Sequence, residues 1–334
     1  MSKKLLIFLT IISFSLVTLV LLRDINTRSV ERWDEQTNID VVSESLTDNI
    51  FYISYKQEPF FEKPPLWYFL TIIPVLYAGQ SLVSYRIVSV ISALLIILLT
   101  YLLVSKRSGP RAGLLSILAY LFIPQLYLVN PAGYFSSHTF NSADLDTLQI
   151  FFIVFSIFAL FYDKKPTPLL IALSYFALAL GYLTKGPFVL LPLFLNTIYL
   201  KRKGLKLKGL FYYLTIFLIP VLLWHLYMQL TFGNDFTSAY VNYHILQRGF
   251  TPLEGHVEPL LFYLQLFFDP RLNLLALPIT ISILSFLRSG KKDSLKKYLL
   301  IFILLVMVLL TLTATKLAWY ILPLYPLGII FLFI

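Results

Sequence analysis

ERWDEQTNIDVVSESLTDNIFYISYKQEPFFEKPPLWY, residues 31–68, is the stretch whose reading decides the fold. It is polar and acid-bearing, yet it stands directly after Leu5–Leu22, an apolar run of the length that crosses a bilayer. Carboxylates and a lysine beside a membrane are energetically costly to keep there, which marks the stretch as a candidate functional site.

The chain around it has 334 residues, 58% hydrophobic and 13% charged, with a mean hydropathy of +0.79. A soluble domain carries about 25% charged residues. Apolar runs of roughly 16 to 25 residues recur between short basic clusters, which predicts an all-α polytopic membrane protein. The net charge of +10 then needs no nucleic-acid partner, because basic residues in short loops set membrane orientation. Absence of cysteine excludes disulfides, zinc–thiolate sites and thiol nucleophiles. Met1-Ser2-Lys3-Lys4 and the first apolar run outline a signal peptide. Arg23-Asp24-Ile25-Asn26 follows in place of a small-residue cleavage site, so an uncleaved anchor is expected.

Topology turns on Leu66–Ala78. Five basic clusters, at Lys3-Lys4, Lys106 to Arg111, Lys164-Lys165, Lys201 to Lys208 and Arg288 to Lys297, should share the cytoplasmic side. They do so only if Leu66–Ala78 does not cross. A helix of about 13 residues rises about 20 Å, short of a hydrocarbon core of about 30 Å. Opened by Pro64-Pro65 and carrying Trp67, Tyr68 and Tyr77, it reads as an interfacial helix. About ten transmembrane helices result: Leu5–Leu22, Leu82–Val104, Ala112–Val129, Leu148–Tyr162, Pro168–Leu183, Pro187–Leu200, Leu210–Leu230, Leu260–Leu287, Tyr298–Thr313 and Ala318–Ile334. Residues 1–334 form one transmembrane domain in this reading, with 23–81 as a long first extracytoplasmic loop. The chain stops inside the apolar run Leu327 to Ile334 and carries no soluble C-terminal domain. A naturally short form and a fragment both fit.

The unusual polar residues fall in the outward segments 23–81, 130–147, 184–186, 231–259 and 314–317, which argues for one extracytoplasmic site. Asp34-Glu35 reads either as an acidic pair with Asp34 capping an amphipathic helix or as a carboxylate general base with its neighbour. Lys63 and Arg86 are either snorkelling side chains or grips for a lipid phosphate at headgroup depth. Asp144 and Asp146 open a span, where acids meet the helix dipole. Having two suggests a further role for one of them, and Asp146 is nearer the membrane. Lys185 and Lys316 lie outside against the positive-inside bias, which points to a bound anion. Tyr243, His244, Glu254 and His256 are candidate polar substrate contacts. The two outer-loop histidines lack close-spaced partners, leaving a metal unsupported. His138 and His225 read as structural.

In chain order, Trp33-Asp34-Glu35, Phe61-Glu62-Lys63-Pro64-Pro65-Leu66-Trp67-Tyr68, Arg86 with Ser89, Asp146 to Phe152, Leu183-Thr184-Lys185-Gly186, Tyr243-His244, Glu254-Gly255-His256 and Thr315 to Pro323 resemble the GT-C membrane glycosyltransferases. The resemblance is to the branch with lipid A aminoarabinose transferases and protein O-mannosyltransferase-like enzymes, over about residues 5 to 325. It implies a GT-C-type helical bundle whose first outer loop carries interfacial helices and the catalytic acid. It also implies transfer of a sugar from a polyprenyl-phosphate donor to a lipid, glycan or protein acceptor at the extracytoplasmic face, with inversion. By this resemblance Asp34 matches the catalytic acid, Glu35 its partner and Asp146 the second-loop acid. Lys63, Arg86, Lys185 and Lys316 match positions around the lipid phosphate and donor pocket, and His244 and His256 match outer-loop polar positions. No cofactor is required by this reading. Where the family usually has an arginine shortly before the second-loop acid, this chain has Phe140-Asn141-Ser142-Ala143-Asp144. A transporter or flippase, the competing class, calls for mid-span charges and inverted repeats, whereas these spans are almost uncharged. A non-catalytic subunit of a glycosylation complex is the third alternative.

Overall fold

The structure, a computed structural model, describes residues 2–46, 52–133, 138–247, 251, 255–290 and 293–334. It is nearly all helical. Helix α1 (Lys3–Leu22) starts on Ser2, whose side chain accepts the Leu5 amide. There follow α2 (Asp34–Ser45), a two-stranded turn of β1 (Ser54–Tyr55) and β2 (Glu58–Pro59), α3 (Leu66–Ala78), α4 (Leu82–Ser108) and α5 (Pro110–Ala119). Helices α6 (Asp146–Phe161), α7 (Pro168–Lys185), α8 (Leu190–Arg202) and α9 (Leu207–Phe232) come next, then Phe262–Phe268, Ala276–Ser289, Ser294–Leu312 and Leu324–Phe333. Local sequence accounts for the starts. Ser81 caps α4 through the Ser84 amide, and Thr167 with Pro168 opens α7.

Among the described residues, α1, α4, α7, α9 and Ser294–Leu312 are long and apolar enough to cross a membrane. The remaining apolar helices are shorter, and several runs expected as single spans are interrupted. Leu260–Leu287 is two helices rather than one. Pro270 has no amide to donate, while the Asn273 side chain donates to Phe267 O at 3.1 Å and accepts from the Leu275 amide at 3.0 Å. Pro187–Leu200 opens as a 3₁₀ turn before α8, Ala318–Ile334 opens the same way, and the run from Ala112 loses α-helical form at Tyr120.

Helices α4 and α6 pack in parallel and α7 runs antiparallel to α6, so the start of α4, the start of α6 and the end of α7 meet at one end of the bundle. Basic residues gather at the other end, where Lys106 lies 3.5 Å from Asp163 and Arg107 donates to Phe161 O. At the first end α2, the β-turn and α3 form a lid of their own. Tyr68 of α3 donates to Asn38 of α2 at 2.8 Å, and Ser43 of α2 meets the Tyr85 hydroxyl of α4 at 2.8 Å. Only residues 79–81 join α3 to α4. Both ends of α3 therefore stay at this end, and the helix lies across it. Trp67, Tyr68, Thr71 and Val75 face inward while Ile73, Leu76 and Tyr77 are exposed.

Two polar arrangements hold the elements together. Arg86 of α4 is fully buried. Its Nε and Nη2 donate to Glu35 at 2.8 and 3.1 Å, and its remaining N–H groups donate to the carbonyls of Ile25, Arg28 and Ser29. Glu35 also accepts the amides of Ala143 and Glu31 at 2.9 and 3.1 Å. Deeper in the bundle the hydroxyls of Ser156 and Ser174 meet at 2.7 Å. Asn196 donates to Ser156 at 2.9 Å and accepts from the Tyr298 hydroxyl at 2.6 Å. In an apolar surround such groups act as links between helices.

Replacing Arg86 with Met would leave the buried Glu35 carboxylate without its hydrogen-bonded partner, with only Arg28 3.7 Å away as a counter-charge. A loss of about 3–5 kcal/mol is expected, read as a lower thermal unfolding midpoint of the detergent-purified protein. An unchanged midpoint would remove the pair from this role.

Candidate active site

Helix α2 begins at Asp34, with Trp33 in the capping position and no side-chain cap, so of the two sequence readings of Asp34 the N-cap does not hold. Consecutive residues on a helix point about 100° apart. Glu35 accordingly turns inward to Arg86, whereas the Asp34 side chain, 36% exposed, turns to the rim.

From Asp34 a row of alternating charge runs across the lid. Lys63 Nζ lies 3.1 Å from Asp34 Oδ1, and His138 Nε2 lies 2.9 Å from Asp34 Oδ2. The other imidazole nitrogen, Nδ1, bonds Asp146 Oδ2, and Lys185 Nζ donates to Asp146 Oδ1 at 2.5 Å. The His138 ring is stacked on Trp319 with centroids 4.1 Å apart and planes 13° from parallel. Asp146 and Lys185 meet because α6 grips the end of α7. Gln149, one turn after Asp146, donates to the carbonyls of Gly181 and Gly186 at 3.1 and 3.2 Å. A side chain at Gly181 would put its Cβ 2.9 Å from Val189 Cγ1, and Gly186 ends α7 at a φ of +96°.

Electrostatics follow from burial and pairing. Burial alone would raise the Asp34 carboxyl, but Lys63, then His138 and Lys185, hold it well below the usual carboxylate range. Burial works against a charged His138, yet Asp144, Asp146 and Asp34 keep it up at about 9. Asp144, buried beside His138 and bonded by Ser142 at 2.6 Å and Asn38 at 3.3 Å, is pushed up to about 6, first by burial and against the pull of His138.

The expected residues divide. Asp34, Lys63, Asp146 and Lys185 come together in the row. Glu35 and Arg86 also meet, but in a closed pair with no outward face. Lys316 donates from Nζ to Thr313 O at 2.8 Å and from its amide to His256 O at 3.3 Å. Its motif reaches the row through Trp319 instead, and through Tyr320, whose ring lies 5.9 Å from Lys185 Nζ. His244 Nε2 stands 3.9 Å from Glu62, the neighbour of Lys63, and Tyr243 packs edge-on to His244. Glu254 lies outside the described residues. No group of three His, Asp or Glu among the described residues is arranged to hold a metal ion. His138 is the residue that sequence reasoning missed. Its only signal is position, eight residues before Asp146 in an outward segment.

Residues 62–226 match the family described as dolichyl-phosphate-mannose-protein mannosyltransferase. A protein of Aquifex aeolicus (strain VF5), described as uncharacterized, is 28% identical over 303 residues, covering 89% of this chain and 66% of that protein. ArnT from Cupriavidus metallidurans bound to undecaprenyl phosphate shares the fold with a TM-score of 0.78 and 19% identity, over 96% of this chain and 59% of ArnT. The Archaeoglobus fulgidus oligosaccharyltransferase in the apo form gives a TM-score of 0.57 at 14% identity, over 99% of this chain and 50% of that one. The chain thus spans 66% of the length of its relative and 50–59% of these solved structures. Among its described residues the chain carries five helices long and apolar enough to cross a membrane; it has the fold of ArnT and of the oligosaccharyltransferase, and over residues 62–226 it is similar to the mannosyltransferase family.

Proposed function

We propose that this protein moves a glycosyl group from a polyprenyl-phosphate carrier to a lipid, glycan or protein acceptor at the extracytoplasmic face of the membrane. The observation that carries the reading is the Asp34–Lys63 pair, 3.1 Å apart at the open edge of the charged row. It offers a carboxylate to an incoming hydroxyl and an ammonium to a departing phosphate within reach of one substrate. ArnT, of the same fold, is described with undecaprenyl phosphate bound, which supports a donor of that chemical class. Against a transport role stands the placement of these charges at helix ends rather than at mid-span.

In this reading the acceptor oxygen attacks the anomeric carbon from the side opposite the phosphate. The bond to the phosphate oxygen breaks, the carrier leaves as polyprenyl phosphate, and the configuration inverts. Lys63 and Lys185 stabilise the developing negative charge in a partly dehydrated site. Asp34 accepts the hydroxyl proton. While paired with Lys63 and His138 it is a weak base. Arrival of the donor phosphate draws Lys63 toward a second anion, which frees Asp34 Oδ1 and raises its basicity. A phosphate acceptor would need little base catalysis, and Asp34 would then mainly orient it. Glu35 and Arg86 act here by seating α2, not by touching substrate, and Asp146 anchors Lys185.

Asp34→Asn keeps the size and removes the charge. Transfer should fall about 10²- to 10⁴-fold with membrane insertion and unfolding midpoint retained, and near-normal turnover would sink the assignment. Lys63→Gln should weaken capture of undecaprenyl phosphate in nanodiscs about ten- to a hundredfold, the value of one charge-assisted contact. Unaltered capture would take Lys63 away from the phosphate. Mass spectrometry of envelope glycolipids and glycoproteins, with and without the gene, tests the reaction class itself.

A further inference from the structure

We infer that His138 is a positioning residue of this site: one imidazole nitrogen holds Asp34, the other holds Asp146, and the ring thereby fixes the two carboxylates relative to each other. The inference rests on the glycosyl-transfer reading above. Its geometric basis is direct. Asp34 lies 104 residues before His138 and Asp146 eight residues after it, so the contact ties the first outer segment to the start of α6. The ring itself has no freedom to turn, being 2% exposed and stacked on Trp319.

Hydrogen-bond inventory sets the charge. An ionised carboxylate only accepts, so two facing carboxylates require two ring N–H donors, and only the imidazolium has both. Stacking on the Trp319 face favours that cation further. Lys63, His138 and Lys185 then stand against Asp34, Asp146 and the adjoining Asp144, so the His138 charge is what keeps the cluster from being net negative toward an approaching phosphate. Asp34 and Glu31 face the ring from the first outer segment, and Asp144 and Asp146 face it from the second. Lys63 and Lys185 stand one carboxylate away, and Trp319 adds no charge. With burial opposing and the three aspartates favouring the proton, the imidazolium persists at neutral pH and is lost as pH rises through about 9. Loss of that proton leaves one ring nitrogen facing a carboxylate without a hydrogen. Alignment of the two acids and the charge balance of the cluster are lost together.

The test uses the full chain in lipid nanodiscs, measuring transfer and undecaprenyl phosphate binding between pH 6.5 and 10. Wild-type kcat/KM should fall above pH about 9. His138→Gln should lose about 100-fold at pH 7.5, the scale of a roughly 1 Å misplacement, and its alkaline fall should disappear. Trp319→Ala, which removes the stacking face, should bring that fall to lower pH. Full kcat/KM in His138→Gln would overturn the inference. So would a uniform drop that leaves the alkaline fall in place, as a merely structural histidine would give. If wild-type protein neither transfers nor binds undecaprenyl phosphate, the functional reading fails instead. The inference is then decided by ¹⁵N NMR of the imidazoles, with His138 assigned by difference from His138→Gln or, if that variant does not fold, from Trp319→Ala. A doubly protonated ring at pH 7.5 upholds it, and a singly protonated ring overturns it.

Discussion

The buried Arg86–Glu35 pair is the constraint from which the lid takes its shape. Removing two charges from water is unfavourable unless every donor and acceptor is met. Arg86 meets that condition, since its five N–H groups have five hydrogen bonds, two to Glu35 and three to backbone carbonyls. Those carbonyls belong to the segment between α1 and α2. Seating Glu35 therefore fixes the end of α1, the first turn of α2 and the loop ahead of α6 against α4 at once. Helix geometry does the rest, because with Glu35 turned inward the preceding residue must face the rim.

The row Lys63–Asp34–His138–Asp146–Lys185 is built on that frame. Alternation of sign is what makes five ionisable groups tolerable in so little solvent, each charge being flanked by its opposite. It also means that no lysine waits free for a phosphate. Binding an anion has to compete with a carboxylate, so a substrate rearranges the pairs when it arrives. Asp34 is the member with most exposure to be rearranged.

Much of this was legible in the sequence, and the losses have physical causes. The bounds of Leu66–Ala78 and the start of Leu82 were readable from the prolines, the charge balance and the length needed to cross a bilayer. Asp34, Lys63, Asp146 and Lys185 were readable because charge beside apolar spans is conspicuous. The break at Asp269 to Leu275 was masked by the apolar residues on either side, although Pro270 and Asn273 signalled it. Arg86 looked like a phosphate ligand because its partners are Glu35, 51 residues away, and carbonyls that carry no sequence signature. His138 was invisible for the same reason. A histidine that bridges two aspartates differs from a structural one only in three dimensions.

The polar knot of Ser156, Ser174, Asn196 and Tyr298 has a consequence for biogenesis. Its members sit on α6, α7, α8 and the helix Ser294–Leu312, and Asn196 is shared by three of them. While the chain emerges from the ribosome, α6, α7 and α8 reach the bilayer well before Tyr298 does. Until then the Asn196 carbonyl lacks the phenol that completes it. Late arrival of that hydroxyl, together with the two helices at the end of the chain, makes completion of this knot a late step in assembly of the bundle.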